Sequence, residues 1–579
     1  MPNAVAVVPG PDGSGLLREL TPDGAPPAPA VPVSDLAAAV AERERAGDVR
    51  WVWPSAAGCY PGLLQAGLRL TRCHDIALVE GLLLGCEGRH GEPATLAAAW
   101  ARLTGQQVPR QASLVSGAQQ ALFEPAQPGL PEDAVLDALT AVYRDQVGRI
   151  SAVESPARLR LLAAAESAGA MAAAEMAYDG LPWRADVHDE LLAGLLGPRP
   201  LRGARPRRLA ELAEQITGAF GGRPVNPDSP SQLVKAFSVD GVSVASTRSE
   251  VLRKVDHPAV PLLLQYKELS RLYTANGWAW LDSWVIDGRF RPEWVVGAVV
   301  SGRWASNGGG ALQIPRVLRR AVVADPGWTL VVADAAQLEP RVLAALAADR
   351  AFSEAAAAGD LYAELASAFG GDRAKAKIAL LSAMYGGSGG DGGQLLAVLR
   401  RRFPQAAGYV EAAARAGEEG RVVRSVLGRT CPPPSAAWRA LTASNSSAAA
   451  RSIRSRGRFT RNFVVQASAA DWALVLLVSL RSRLAALAGA DGAVGLDGTV
   501  GADGAVGLDG TVGADGTGRP HLVFFQHDEV IVHCPQALAE PVTDAIEAAA
   551  QEAGRLVFGA TPVRFPVMTA AVACYGDAK

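Results

Sequence analysis

The sequence predicts a multidomain chain that combines α/β and α+β architecture. Three observations predict it. At 579 residues the chain is too long for one ordinary core. Short strand-like runs alternate with long alanine-rich helical patterns. Two apolar, strand-like runs far apart in the chain, Trp328–Ala333 and Leu522–Gln526, each lead into an aspartate, Asp334 and Asp528. A hydrophobic fraction of 49% and a charged fraction of 20% are those of a globular chain. The net charge of −2 excludes a globally basic surface, so any nucleic-acid contact must be local. The six cysteines form no C-x-x-C pair and read as reduced thiols. The N-terminus lacks a basic n-region, and no apolar stretch looks long and clean enough to span a bilayer. A soluble, cytoplasmic protein is expected.

Residues 1 to about 155 mix short strand-like runs (Val5–Val8, Val49–Trp53) with helical patterns, which predicts a small α/β unit. Leu159 through Leu195 is strongly helical. The cluster Arg199, Arg202, Arg205, Arg207 and Arg208 is either a solvated loop or a phosphate-contacting patch. Helical periodicity resumes at Ser231–Phe237 and Ser249–Leu272. Trp278 to Val300 is aromatic and β-branched, so strands are expected there. Helices are expected from Pro340 to about Ala416 and from Ser446 to Leu487. Ala490 to Gly513 is four hexads of the form (Ala/Leu)-Asp-Gly-(Ala/Thr)-Val-Gly. So much glycine costs more chain entropy than a few valines offset, which predicts a mobile loop inserted before the Asp528 strand.

An ionised carboxylate is costly to bury unless it is paired or binds a metal. Asp334 and Asp528 at strand ends suit a pair of divalent cations for in-line phosphoryl chemistry. Taken singly, each reads better as a turn residue than as a ligand. The segment from Asp372 to Gly387 predicts a helix capped by Asp and ended by Gly-Gly. Arg373, Lys377, Leu381 and Tyr385 recur every four residues, so they share one face running from cations to an aromatic ring. A nucleoside triphosphate presents the same order (phosphates, sugar, base), whereas the helix viewed alone reads better as a solvent face with an ordinary Arg/Lys pair. On a second helix Arg458, Asn462 and Gln466 are also spaced by four. Long polar donors in a row suit the minor groove, whose acceptors vary little with sequence.

In this order the elements resemble those of the family A DNA polymerases from about residue 157 onward. Motif A, D-x-S-Q-I-E-x-R, corresponds to Asp334, Ala336 (for Ser), Gln337, Leu338, Glu339 and Arg341. Motif B, R-x(3)-K-x(3)-[FY]-G-x(2)-Y-G, corresponds to Arg373, Lys377, Tyr385 and Gly386, with Leu381 replacing the aromatic and Ser382 the glycine. Motif C is His527-Asp528-Glu529. A T-G-R element appears as Ser301-Gly302-Arg303, and the R-x(3)-N-x(3)-Q helix as Arg458, Asn462 and Gln466 through Asp471.

The resemblance implies a right-hand polymerase over residues 156–579: thumb about 190–300, palm about 301–345 and 435–579, fingers about 346–434, and a low-complexity loop at 489–518. It implies primer–template DNA and deoxynucleoside triphosphates as partners. Two Mg²⁺ ions, or Mn²⁺ in their place, would be held by Asp334, Asp528 and the carbonyl of Ala335. Glu529 would be a secondary carboxylate beside them. Arg373 and Lys377 would grip the triphosphate, and Lys377 would protonate the leaving pyrophosphate. Gln337, Leu381 and Tyr385 would line the nucleotide site, and Glu339 would be the gate against a ribose 2′-hydroxyl. Arg303, Arg458, Asn462, Gln466 and His527 would contact the primer–template minor groove. Leu381 cannot stack as an aromatic does. Pro340 falls in a first helical turn, where proline is tolerated, so a shifted helix start is expected rather than a broken site. A monomer, associated with the nucleoid when DNA-bound, is expected.

Residues 1–155 resemble the ribonuclease H-like 3′–5′ exonuclease domain that precedes this polymerase, in degenerate form. Asp12 lacks an acidic neighbour two residues on, Tyr60 stands at the apparent aspartate position, and only Glu132-Asp133 remains of the last element. Asp75 reads as a helix cap. Polymerization without proofreading is therefore expected. A bifunctional polymerase and exonuclease, or a non-catalytic primer–template-binding protein, are the alternatives.

Overall fold

The structure is a computed structural model that describes residues 3–47, 49–109, 130–201, 203–357, 359–366, 371–386, 397, 400–491, 518–526 and 528–578. His527 and Arg202 lie outside these residues, as does most of the Asp-Gly repeat (492–517). The chain forms two compact units. The first joins residues 1–178, 294–305 and 331–570; the second joins 179–293, 306–330 and 571–579.

The first unit begins with a five-stranded sheet in the order Val31–Val33, Gly15–Leu20, Asn3–Pro9, Val49–Trp53, Cys73–Asp75. The first three strands are antiparallel and the last two run parallel to Asn3–Pro9. Side chains alternate across the strand Asn3–Pro9. Val5 and Val7 pack with Trp51, Trp53 and Tyr60, whereas Ala4 and Ala6 pack under Leu136, Leu139 and Val142 of the helix Glu132–Ala152. Both faces are thus covered, which explains apolar rather than alternating runs.

The boundary expected near residue 155 falls inside this unit, because Val79, Leu83 and Ile150 share a core with Leu162, Trp472 and Leu477. At its centre runs the helix Ser447–Asp491, 45 residues long. Its stretch Ser447–Leu487 is long and apolar enough by composition to cross a membrane, contrary to the sequence expectation, but 78% of the apolar window is buried inside the protein. The run is apolar because it is surrounded by core. Pro404–Glu418 packs closely on it: a Cβ at Gly417 would come within 2.1 Å of Thr460 Oγ1. A four-stranded sheet in the order His521–Gln526, Glu529–Pro535, Trp328–Ala335, Val567–Val572 carries the two predicted strand-end aspartates.

The second unit is mainly helical, with Ala185–Leu196, Arg207–Ala219, Pro230–Val239 and Ala259–Asn276. The expected helix Ser249–Leu272 is broken at residues 253–258, ahead of Pro258. The segment Trp278–Val300 also departs from expectation, since Trp278–Trp284 is helical and only short strands follow. Trp278 and Leu281 are buried three residues apart, a spacing that a helix brings onto one side. Aromatic content alone does not distinguish that side from a strand face. Trp280 packs against Trp183 and Phe290, with ring centroids 5.2 and 4.9 Å apart.

Candidate active site

Asp334 lies near the end of the strand Trp328–Ala335, and Asp528 lies in the turn of the hairpin formed by His521–Gln526 and Glu529–Pro535, where Gln526 pairs with Glu529. The Asp528 amide closes that turn on the Gln526 carbonyl at 2.7 Å. The hairpin strand Glu529–Pro535 lies beside Trp328–Ala335 in the sheet, and at the end of this pair the Ala335 amide donates to the Asp528 carbonyl at 2.9 Å. Strand ends remote in sequence are thereby brought side by side. The Asp528 carboxyl is pushed up to about 6, first by lost hydration and then by the negative charge of Asp334, with Glu339 and Glu529 adding to it. Glu529 is buried in its strand.

Among the described residues no three His, Cys, Asp or Glu side chains gather round one point. Two carboxylates in mutual repulsion nevertheless fit a hard divalent cation. Mg²⁺ takes one or two protein carboxylates and completes its shell with water and substrate phosphate rather than in an all-protein cage. A cation between Asp334 and Asp528 would also cancel the repulsion that raises Asp528.

Beyond Asp334 the backbone turns sharply. Gln337 adopts φ 56° and begins the helix Leu338–Ala347. Pro340 occupies the first turn of that helix, where no intrahelical N–H is needed. Arg341 is 1% exposed; it donates to the carbonyls of Ala336 (2.9 Å), Ala356 (2.5 Å), Arg564 (3.1 Å) and Gly359. A five-donor guanidinium thus ties the turn after Asp334 to two other segments, around residues 356–359 and 564. Gln337 bridges two elements, donating to Asp360 Oδ1 at 2.6 Å and accepting from the Leu361 amide at 3.0 Å.

Glu339 is ion-paired with Arg303 and accepts a hydrogen bond from the Tyr385 hydroxyl. Burial pushes its carboxyl up, and Arg303 opposes that shift. The helix Arg373–Met384 is capped as expected by Asp372, whose carboxylate accepts from the Lys375 amide at 3.0 Å, and Gly386 follows at φ 74°. Arg373 reaches Asp360 at 2.5 Å. Burial alone would raise Asp360, but the hydrogen bonds from Arg373 and Gln337 hold it below the usual carboxylate range. Leu381 is half-buried on the same helix.

On the long helix Arg458 is exposed, Asn462 and Gln466 are half-buried, and the Asn462 side-chain oxygen has no hydrogen-bond partner among the described residues. Arg458 and Arg461 flank Gly386, where a Cβ would lie 3.3 Å from Arg458 Cγ. Gly302, at φ 85°, leaves room for Arg429, because a Cβ there would meet the Arg429 guanidinium at 2.4 Å. Arg429 is buried between Glu166 and Asp471. Asp360, Tyr362 and Arg429 went unrecognised in the sequence. The only local sign of Asp360 was an acidic residue before a helical run.

In the N-terminal sheet, Asp12 lies exposed in the turn Pro11–Gly13 and Asp133 is exposed on the Glu132–Ala152 helix; the Glu132 side chain lies outside the described set. Asp75 is buried and caps the helix Ile76–Cys86 through the Leu78 amide (3.0 Å) while accepting from Ala56 (2.7 Å), as the sequence suggested. Tyr60 is fully buried. Its hydroxyl donates to Glu175 Oε1 at 2.5 Å and accepts from the Leu70 amide at 3.0 Å. Arg481 of the long helix pairs with Glu175 at 2.6 Å.

The fold is that of a polymerase domain. Over 99% of this chain and 96% of the other, it superposes with a TM-score of 0.69 and 19% identity on the POL domain of Pol1 from M. smegmatis, a structure in complex with DNA primer-template and dNTP. Residues 201–571 match the model of DNA polymerase family A, and the chain belongs to that family. Similar curated proteins include the thermostable DNA polymerase I of Thermus filiformis, 29% identical over 396 residues, covering 59% of this chain and 41% of that one. DNA polymerase I of Chloroflexus aurantiacus is 26% identical over 324 residues, covering 48% and 33%. The aligned region spans less than half the length of either relative.

Proposed function

We propose that the chain is a template-directed DNA polymerase that adds deoxynucleotides to a primer 3′-hydroxyl. The observation that carries this reading is the juxtaposition of Asp528 with Asp334, with Glu339 and Tyr385 hydrogen-bonded to each other, in a family A chain. Asp334, Asp528 and the Ala335 carbonyl would hold two divalent cations, Mg²⁺ or Mn²⁺, which supply charge neutralisation at phosphorus and acidify the primer hydroxyl. Arg373 and Lys377 bind the triphosphate, and Lys377 donates a proton to the departing pyrophosphate. Glu339, buttressed by Arg303, excludes a ribose 2′-hydroxyl, while Gln337 and Leu381 complete the nucleotide site. Tyr385 stacks at the template-base position. Arg303, Arg458, Asn462, Gln466 and His527 contact the minor groove, and Glu529 is the secondary carboxylate. The partners are primer–template DNA and deoxynucleoside triphosphates, bound by a monomer in the cytoplasm.

Residues 1–155 form a ribonuclease H-like exonuclease-type module that has lost its chemistry, and residues 156–579 form the thumb, palm and fingers at the boundaries given above. Support comes from Tyr60 and Asp75, both committed to structural hydrogen bonds. The test is primer extension on matched and mismatched 3′ ends, with Mg²⁺ present and deoxynucleotides supplied or withheld. Extension of the matched primer, without shortening of either primer when nucleotides are withheld, is expected. Shortening that survives Asp528→Ala shows a working exonuclease; binding without extension shows a non-catalytic protein.

A further inference from the structure

Tyr362, on the short helix Leu361–Ala366, is 5% exposed, and its ring underlies both cations of the neighbouring helix. The Arg373 guanidinium carbon lies 5.7 Å from the ring centroid and Lys377 Nζ lies 5.9 Å from it. Arg373 is also held by Asp360, whose other oxygen accepts from the Tyr362 amide at 3.0 Å. Lys377 makes no ion pair among the described residues. Two like charges one helical turn apart repel, and long side chains carry much rotamer entropy. A ring face is negative without being ionised, so it attracts both cations without neutralising either. A carboxylate in the same place would tie them up and compete with a phosphate. Burial, with Glu339 as a further cause, pushes the Tyr362 hydroxyl up to about 12, so the ring stays uncharged.

We propose that Tyr362 is a positioning residue whose ring pre-orders Arg373 and Lys377 for a nucleoside triphosphate. The inference rests on the reading of those two residues as the phosphate grip. The ring, rather than the hydroxyl, performs the task.

The test measures the equilibrium Kd of a deoxynucleoside triphosphate for the complex of full-length protein with a dideoxy-terminated primer–template, which cannot turn over. Tyr362→Leu weakens nucleotide binding about fivefold to tenfold with the DNA Kd unchanged, whereas Tyr362→Phe stays within about twofold. In a Lys377→Met, Arg373→Met background the effect of Tyr362→Leu disappears. Phenylalanines of increasing fluorine content at position 362 keep the packing while draining the ring face. They raise the nucleotide Kd stepwise and keep the test open if the leucine variant does not fold. Equal losses in Tyr362→Phe and Tyr362→Leu, or no dependence on fluorination, overturn the proposal. If Lys377→Met itself leaves the nucleotide Kd unchanged, the functional reading has failed. If Lys377→Met weakens binding and Tyr362→Leu does not, only the present inference has failed.

Discussion

Asp528→Asn removes the charge that this site tolerates least, and the protein without metal should become more stable as its activity is lost. The Asp528 carboxyl is raised from 3.8 to about 6. Each pKa unit corresponds to about 1.4 kcal/mol, so the ionised form carries a penalty of at most about 3 kcal/mol at pH 8. Asp528 keeps part of its surface in solvent even though neighbouring atoms crowd its carboxyl, and screening by that solvent reduces the figure to roughly 1 kcal/mol. The sign follows from linkage. A carboxyl whose folded pKa is raised binds its proton more tightly when folded, so the penalty is fully present above about pH 6. It shrinks as pH falls through 6 and is gone below the unfolded value near 4. In EDTA at pH 8 the variant should therefore melt about 1–3 °C above wild type, and the gap should close toward pH 4. Added Mg²⁺ should raise the Tm of the wild type and not that of the variant, because only the wild type retains the carboxylate pair. Primer extension should fall by at least about a hundredfold. A variant that melts below wild type in EDTA at pH 8, or that extends primers at near wild-type rate, would rule out a strained carboxylate pair that holds the metal.

Three other substitutions test neighbouring elements. Glu339→Ala frees the Tyr385 hydroxyl and Arg303 and opens the space by the nucleotide sugar. The ratio of kcat/KM for a ribonucleotide to that for its deoxynucleotide should rise about tenfold or more, and an unchanged ratio would remove the gate role. Leu381→Phe places an aromatic ring on the face shared with Arg373 and Lys377. Nucleotide KM should fall a few-fold to tenfold, with altered dideoxynucleotide discrimination, and no change in either would break the assigned register. Tyr60→Phe strands the buried Leu70 amide and removes a donor from Glu175. Stability should drop by about 1–3 kcal/mol in thermal or denaturant unfolding while kcat stays the same, and a large loss of kcat at full stability would contradict a purely structural Tyr60.

The motifs were legible because their spacing is local. A helix places every fourth residue on one face whatever surrounds it, so Arg373, Lys377 and Tyr385 could be aligned from sequence, as could Arg458, Asn462 and Gln466. Capping by Asp372 and Asp75 was legible for the same reason, since a cap bonds to an amide only three residues away. Where composition stood in for geometry, it misled. The tryptophans of Trp278–Trp284 form a helix, and the apolar run that the sequence did not single out as span-length is the buried core of Ser447–Leu487.

Contacts between segments distant in the chain come from the folded arrangement alone. The sequence supplied the candidates for the chemistry: two strand-end aspartates, two cations spaced by four residues on one helix, and a glutamate within motif A. It held no signal for the Ala335–Asp528 hydrogen bond that brings the aspartates together, or for Asp360 joining Gln337 to Arg373. The same holds for the ring of Tyr362 beneath two cations, and for Arg429 packed against Gly302 between two buried carboxylates. Such pairings come from strand order and helix packing. They depend on which buried surfaces fit together rather than on any residue's own propensity.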